Sequence, residues 1–453
     1  MEAAAAQQEV DRHLQQQGIE PLHQFVYQLY SDMNTVASKF TGGESSSPKY
    51  YFATNMYNNT QLMPQFTLSL LQTLLRLPRE DVFVSVYESN SDDSVHGWID
   101  MLQLALNVIG TPSRIVSRGM LVRSKGQERI DFLAQLRNIA LAPLYNHYAS
   151  SYTRSNRRSG SPASAKDGSS GKSELPAAPG TVPWDPDYVV FINDVYFSWS
   201  MVLRLMNYRA DITCGMDFWQ NKDATTSLPT DLKVKGHQPK PVLPPEYRLE
   251  APLPLLNVSS PDQVNPIVFY DIWVARDLAG SKFWWTYPFN LDVASGAYVK
   301  QGLPVRASCC WNGLSILAAE PFKRGLRFRS HIGKGSSNGN ECRASECSLV
   351  CDDFARLGFD RVVVDAGVQV AYKWGLAREM MAAGVEGIGQ STWAQVKAAG
   401  VGEAARQPAY GTMECCSLQP GAEYVAFYKD CSRMNVMSVD YTAQALSMSS
   451  WTR

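Results

Sequence analysis

The chain has 453 residues, 45% of them hydrophobic and 19% charged, with a formal net charge of −1, which is the composition of a soluble globular protein with ample apolar material for a core. No long Lys/Arg block occurs, which argues against a nucleic-acid partner held by phosphate contacts and leaves room for a local basic cleft around a diphosphate. Nor is there a run of about 18 apolar residues that could span a membrane, and the polar start, Met1 to Gln8, lacks the apolar core of a signal peptide.

Residues 1–40 read as one or two amphipathic helices, with Leu22, Phe25, Val26, Leu29 and Tyr30 at helical spacing. A Gly/Ser/Pro stretch at 42–48 then breaks the chain. Residues 49–54 predict an aromatic strand with a loop after it, and 65–76 a helix ended by Pro78. A second strand over 82–87 runs into a polar loop, 88–93, followed by a helix over 95–109, a short strand at 114–116 and a helix over 129–144. This alternation predicts a parallel, doubly wound α/β sheet. Ligands of such sheets bind beyond the carboxyl ends of the strands, which selects Thr54, Asn55, Glu88 and Asn90 as pocket-lining residues. No Gly-x-Gly-x-x-Gly or P-loop follows these strands, so a dinucleotide site is disfavoured.

Residues 149–182 are rich in Ser, Gly, Ala and Pro without periodicity, and read as a flexible insertion within the domain, because strand-like sequence resumes at once. A proline-rich stretch, 239–254, is a second long loop. The expected organisation is a helical extension over 1–48, a catalytic domain over 49–374 and a C-terminal extension over 375–453 that packs on it. That extension carries weak helices at 378–383 and 391–399 and a late strand at 425–428.

Nine cysteines occur and no Cys-x-x-Cys pair, so a structural zinc site is disfavoured. The cluster Cys342, Cys347 and Cys351 suits a disulfide in a secretory-pathway protein and equally suits buried free thiols. Sequons at Asn58 and Asn257 are compatible with a luminal protein.

Chemistry concentrates after the insertion. The apolar run 187–192 suits a central strand, and it delivers Asn193-Asp194-Val195 at its end. A carboxylate there can take a divalent cation bridging a diphosphate, or can cap a helix over 198–207. Polar groups then recur in short bursts: Cys214-Gly-Met-Asp217-Phe-Trp after a short strand at 210–213, Phe269-Tyr-Asp271-Ile-Trp-Val-Ala-Arg276-Asp277, the aromatic loop 283–287, Cys310-Trp311-Asn312-Gly313 and Ser345-Glu346-Cys347. Aromatic loops beside carboxylates suit carbohydrate, with rings stacked on sugar faces and acids taking hydroxyls.

Read in order, these segments resemble the fungal α-1,3-mannosyltransferase family associated with capsule synthesis, from about Tyr50 to Trp374. The resemblance implies a GT-A type mixed sheet, with a nucleotide-sugar-binding Rossmann-like half and an acceptor-binding half. It also implies retaining transfer of mannose from GDP-mannose to a mannose-containing glycan in α-1,3 linkage, with Mn²⁺ or Mg²⁺. A type II Golgi membrane protein would follow, with its anchor outside this chain; the sequence itself is as compatible with the cytoplasm. GT-A enzymes usually carry Asp-x-Asp at the metal, whereas Asn193-Asp194-Val195 offers one carboxylate. His331 is the candidate second ligand, since related folds add a C-terminal histidine.

In the expected mechanism Asp194 and the ion neutralise the leaving diphosphate, helped by Lys125, Arg129 and Arg137. Asn138 and Asn193 add donor contacts, while Thr54, Asn55, Glu88 and Asn90 hold base and ribose. Arg129 reads equally as a solvated helical residue. Glu346 lies beneath the anomeric carbon, as nucleophile or as a stabiliser of positive charge, with Asp352 and Asp353 as competitors and helix capping as the plainer alternative. Asp217, Asp271, Arg276, Trp311, Asn312 and Asp353 then meet donor mannose and acceptor hydroxyls. A glycoside hydrolase, or a catalytically silent glycan-binding protein, would use similar residue types.

Overall fold

The computed structural model describes residues 47–149, 182–220, 267–284, 289–290, 292–331, 341–382, 392–400, 412–416 and 431–438. The expected helices of 1–40, the insertion apart from its two ends, the loop 239–254, the sequon at Asn257 and the strand at 425–428 lie outside them.

The first half alternates as its sequence predicts. Strand β1 (Tyr50–Met56) is buried along almost its whole length, and helix α1 (Met63–Leu74) follows, with Pro64 in its first turn, where a missing N–H costs nothing. Strand β2 (Val82–Ser89) is followed by helix α2 (Val95–Ile109), closed by Gly110 at φ 71°, a left-handed cap that glycine adopts without strain. Strand β3 (Ser113–Gly119) and helix α3 (Arg129–Ala140) complete the half. The expected helix over 129–144 is interrupted at Leu141 and resumes over 142–149.

Strand β4 (Tyr188–Ile192) comes next, then helix α4 (Trp199–Asn207) and strand β5 (Ile212–Gln220). The segment Cys214 to Trp219 therefore lies within one long strand rather than after a short one. Its register shifts between Cys214 and Met216, a bulge that turns the following side chains. Strand β6 (Ile267–Phe269), helix α5 (Val293–Lys300), strands β7 (Pro304–Ala307) and β8 (Leu314–Ala318), helix α6 (Glu346–Arg356), strand β9 (Val362–Ala371) and helix α7 (Trp374–Ala382) follow.

One mixed sheet of nine strands results, in the order β3-β2-β1-β4-β8-β5-β9-β7, with β6 on β5. Strands β1, β2, β3 and β4 are parallel neighbours, β8 runs antiparallel between β4 and β5, and β5 is parallel to β9. The carboxyl ends of β1, β4, β5 and β9 therefore share one edge. Connections β1–α1–β2 and β3–α3–β4 cross in opposite senses, so right-handed crossovers put α1 and α3 on opposite faces. The strand order reverses between β1 and β4, the place where open α/β sheets leave a ligand crevice.

Disulfides answer the cysteine question. Cys214–Cys310, Cys309–Cys351, Cys342–Cys415 and Cys416–Cys431 are bonded, and Cys347 is free and buried. The hairpin β10 (Thr412–Cys416) and β11 (Cys431–Asn435) clasps the 276–282 segment, with Glu414 N donating to Gly280 O and Arg433 to Ala279 O. A side chain at Gly280, φ 75°, would meet Thr412 O at 2.2 Å, so this clasp needs glycine there.

Candidate active site

A concave cavity of 440 Å³ lies at the shared carboxyl edge. Asn58, Asn59, Gln61 and Leu62 from the loop after β1 form one wall, Asp194 and Tyr196 after β4 the floor, and Trp219 with Tyr372, Lys373 and Trp374 the far wall. The rings are mutually braced: Tyr196 against Trp374 at 5.4 Å, Trp219 against Tyr372 at 6.1 Å, and Tyr270 against Tyr372 at 4.7 Å. The Lys373 ammonium stands 5.2 Å from the Trp219 ring. Aromatic faces beside amides, a carboxylate and an ammonium make a polar, sugar-sized hollow.

Asp194 does not cap α4; that helix begins five residues later, behind its cap Ser198. Its side chain opens into the cavity and is itself exposed, though protein atoms crowd the carboxyl and displace part of its solvent. This partial desolvation raises its carboxyl above the ordinary range, against the pull of its own backbone amide, Arg137, Asn59 and Arg129. Asn193 is held on both sides: its amide donates to Gly313 O at 2.8 Å, and its side-chain oxygen accepts from Arg137 Nη1 at 3.1 Å. The turn supplying that carbonyl needs Asn312 and Gly313 in left-handed conformation, φ 54° and 73°.

Behind Asp194 lies a polar knot that α6, β5 and the Asp271 turn bring together. Glu346 is the first residue of α6, capped instead by Ser345, and is 1% exposed. Its Oε1 accepts from Arg137 Nε at 2.8 Å, and its Oε2 from Ser345 Oγ at 3.1 Å. Asp271 Oδ2 accepts from Asn312 N at 2.9 Å, while Asp217 accepts from Asp271 N at 3.1 Å and from Tyr372 Oη at 2.7 Å. Burial, and then its carboxylate neighbour, push Asp217 well above the carboxylate range. Burial lifts Asp271 to about 6, with Glu346 adding to the rise and Asn312 and Arg137 opposing it. Asp217 thus reaches the cavity wall through Tyr372.

Other expected site residues take different places. Arg137 meets no open phosphate cleft: its guanidinium is 4.5 Å from the Trp311 ring and 5.1 Å from Phe191. Trp311, 2% exposed, is a wall of that cage and offers a sugar no face; Asn312, wholly buried, bonds Gly215 O and Asp271. Asn138 grips the backbone of Phe328 at both N and O. Arg276 spends its guanidinium on the carbonyls of Ile272, Trp273, Ala275 and Glu414. Asp353 pairs with Arg329 and Arg356, and Asp352 is buried in α6 with Oδ1 unpartnered among the described residues. Apart from Asp352, these are internal struts, because a buried polar group generally finds its partners inside the protein.

On the first half, Glu88 is buried and accepts from Ser91 N and Arg118 N, which shapes its own loop. Asn90 is exposed at φ 59°, and Arg129 and Lys125 are exposed. Thr54 Oγ1 and Asn55 Oδ1 are buried without hydrogen-bond partners among the described residues. His331 is half-buried, beyond Ser330, whose hydroxyl donates to Asp131.

As a metal ligand Asp194 suits one position of a hard divalent ion, the rest of whose shell would be diphosphate and water oxygens. Asn193 is taken by Arg137. Among the described residues the one group of three potential ligands is Glu414, Cys416 and Cys431, and its two sulfurs are joined in a disulfide.

Sequence reasoning missed Asn59, Tyr196, Trp219, Tyr372, Lys373 and Trp374. The strand-end rule applied to β9, ten buried residues long, selects Tyr372, Lys373 and Trp374.

Comparison with known proteins agrees with the ordered motifs. The profile of the family described as Cryptococcal mannosyltransferase 1 matches residues 49–353. Alpha-1,3-mannosyltransferase CMT1 of Cryptococcus neoformans var. neoformans serotype D is 26% identical over 361 residues, 74% of this chain and 60% of that protein, so the chain spans well under two thirds of this relative's length. A crystal structure of S. aureus TarS 1-349 superimposes with a TM-score of 0.30 at 10% identity, over 71% of this chain and 60% of that one. With the family profile covering most of the chain, the chain belongs to the Cryptococcal mannosyltransferase 1 family.

Proposed function

We propose that this chain is a retaining, metal-dependent glycosyltransferase of GT-A type that moves mannose from GDP-mannose to a mannose-containing glycan in α-1,3 linkage. The observation that carries the reading is the position of Asp194. It is the one carboxylate among the residues lining the cavity, at the end of a central strand, with a buried acid cluster directly behind it. Family membership and the relative's name support mannose as the sugar.

Asp194 and Lys373 set opposite charges in one hollow, as a diphosphate with its counter-ion requires. A divalent ion at Asp194 would supply Lewis-acid charge to the leaving diphosphate. Lys373 adds a cation from the far wall, while Trp219 and Trp374 offer ring faces to a hexose. Asp271, whose Oδ2 accepts from Asn312 N, and Glu346 lend negative field from behind the cavity. Together they favour the positive charge that develops on the ring as the glycosidic bond breaks. Luminal residence is part of the proposal, and the four disulfides support it, since such bonds persist in oxidising compartments.

A glycoside hydrolase would need two carboxylates facing each other across a bond, about 5 to 9.5 Å apart, and the cavity lining supplies one. A thermal-shift screen with GDP, UDP and free sugars, each with and without Mn²⁺, tests the reading. Stabilisation by GDP that requires Mn²⁺ and disappears in Asp194→Ala is expected. Stabilisation by sugars alone, or by GDP with chelator present, would overturn it.

A further inference from the structure

Arg137 was expected at the diphosphate, but its surroundings describe another task. The guanidinium is enclosed by Phe191, Trp311 and Phe328, with ring centroids 5.1, 4.5 and 5.8 Å from its central carbon. Its side chain is 11% exposed. Two of its nitrogens are committed: Nε to Glu346 Oε1 at 2.8 Å and Nη1 to Asn193 Oδ1 at 3.1 Å. Those partners stand at the ends of two different elements. Glu346 opens α6, and Asn193 directly follows β4, one residue before Asp194.

We propose that Arg137 is a positioning residue that ties the Glu346 carboxylate to the Asn193-Asp194 turn, so that the acid cluster and the diphosphate-facing carboxylate move as one rigid piece. The planar guanidinium suits the task, because its donors point in fixed, divergent directions and its faces lie flat on rings, which an ammonium cannot reproduce. The cage is made of core residues from β4 itself and from two further segments, the Trp311 turn and Phe328. Any shift of the guanidinium is therefore paid in packing as well as in hydrogen bonds. The inference rests on the transferase reading and adds to it a residue that acts through others rather than on the substrate.

The test compares wild type, Arg137→Lys, Arg137→Ala, Glu346→Gln and the double variant Arg137→Lys/Glu346→Gln, all checked for folding by circular dichroism. Rates of GDP release from GDP-mannose with acceptor, and GDP·Mn²⁺ affinity by calorimetry, are the readouts. Misplacing a reacting group by about 1 Å costs on the order of a hundredfold, so kcat of Arg137→Lys should fall by about that factor, while donor KM and GDP affinity stay within about threefold. The double variant should be no slower than the slower of its two parents, because both changes break one linkage. Added guanidinium ion should restore part of the activity of Arg137→Ala. A tenfold or larger loss of GDP affinity in Arg137→Lys would make Arg137 a diphosphate ligand and overturn the assignment, as would multiplicative losses in the double variant. No sugar transfer by the wild type would instead overturn the transferase reading, and this inference with it.

Discussion

Asp217 and Asp352 show how much a single buried carboxyl can reveal. Asp217 is wholly buried and relies on Tyr372 Oη for one of its bonds. Tyr372→Phe removes that donor and leaves a buried oxygen unmatched, which should cost about 1–3 kcal/mol of stability, read as a lower urea midpoint; an unchanged midpoint would mean the bond contributes nothing. Asp352 sits inside α6 with burial lifting its carboxyl to about 8. The unfolded chain ionises it near its ordinary value, about 4, so the native state holds an extra proton between about pH 4 and pH 8. This group's contribution to stability is therefore full below about pH 4, falls as pH rises through that window, and is flat above about 8. Asp352→Asn mimics the protonated form and should flatten the decline in Tm from pH 5 to pH 8; parallel Tm–pH curves for variant and wild type would contradict this.

Elements decide which residues reach the site, and two disulfides act at this scale. Adjacent Cys309 and Cys310 tie one turn to α6 through Cys351 and to β5 through Cys214, just before Trp311 and Asn312. A cross-link closing a loop of this size contributes about 2–4 kcal/mol, so Cys309→Ser/Cys351→Ser should unfold at correspondingly lower denaturant. Its GDP-mannose turnover should also fall, because α6 carries Glu346; full stability and turnover would show that the staple is dispensable. Much of the sheet was legible beforehand because β1, β2 and β4 are runs of β-branched and aromatic residues bounded by polar loops. Cysteine pairing was not legible, since connectivity joins residues up to 96 apart and no local pattern encodes it. The antiparallel place of β8 between β4 and β5 was equally hidden, because a buried run of five residues reads the same in either direction. At the site, the strand-end position of Asp194 could be read from the run before it. Arg137, Trp311, Asn138 and Arg276 could not be separated from ligand-binding residues, because the same polar types that grip sugars also grip buried carbonyls. Only their contacts tell the two uses apart.

At the scale of the molecule, the topological switch between β1 and β4 and the shared edge of β5 and β9 place one cavity where nucleotide and sugar would meet. On the proposed reading, the acid knot behind it serves chemistry and the aromatic wall before it serves binding. Replacing Trp219 by Ala should raise the KM for sugar substrates with a smaller effect on kcat, because a stacking face serves binding in ground and transition state alike; a change confined to kcat would move Trp219 into the chemistry. If this hollow consumes GDP-mannose, as proposed, nucleotide release from a panel of GDP-, UDP- and CDP-sugars, with wild-type protein and Mn²⁺ and again with EDTA, will single out that donor. GDP release from GDP-mannose alone, abolished by EDTA and by Asp194→Ala, is the expected result. Equal release from a UDP-sugar, or GDP release that persists with EDTA and in Asp194→Ala, would contradict the account.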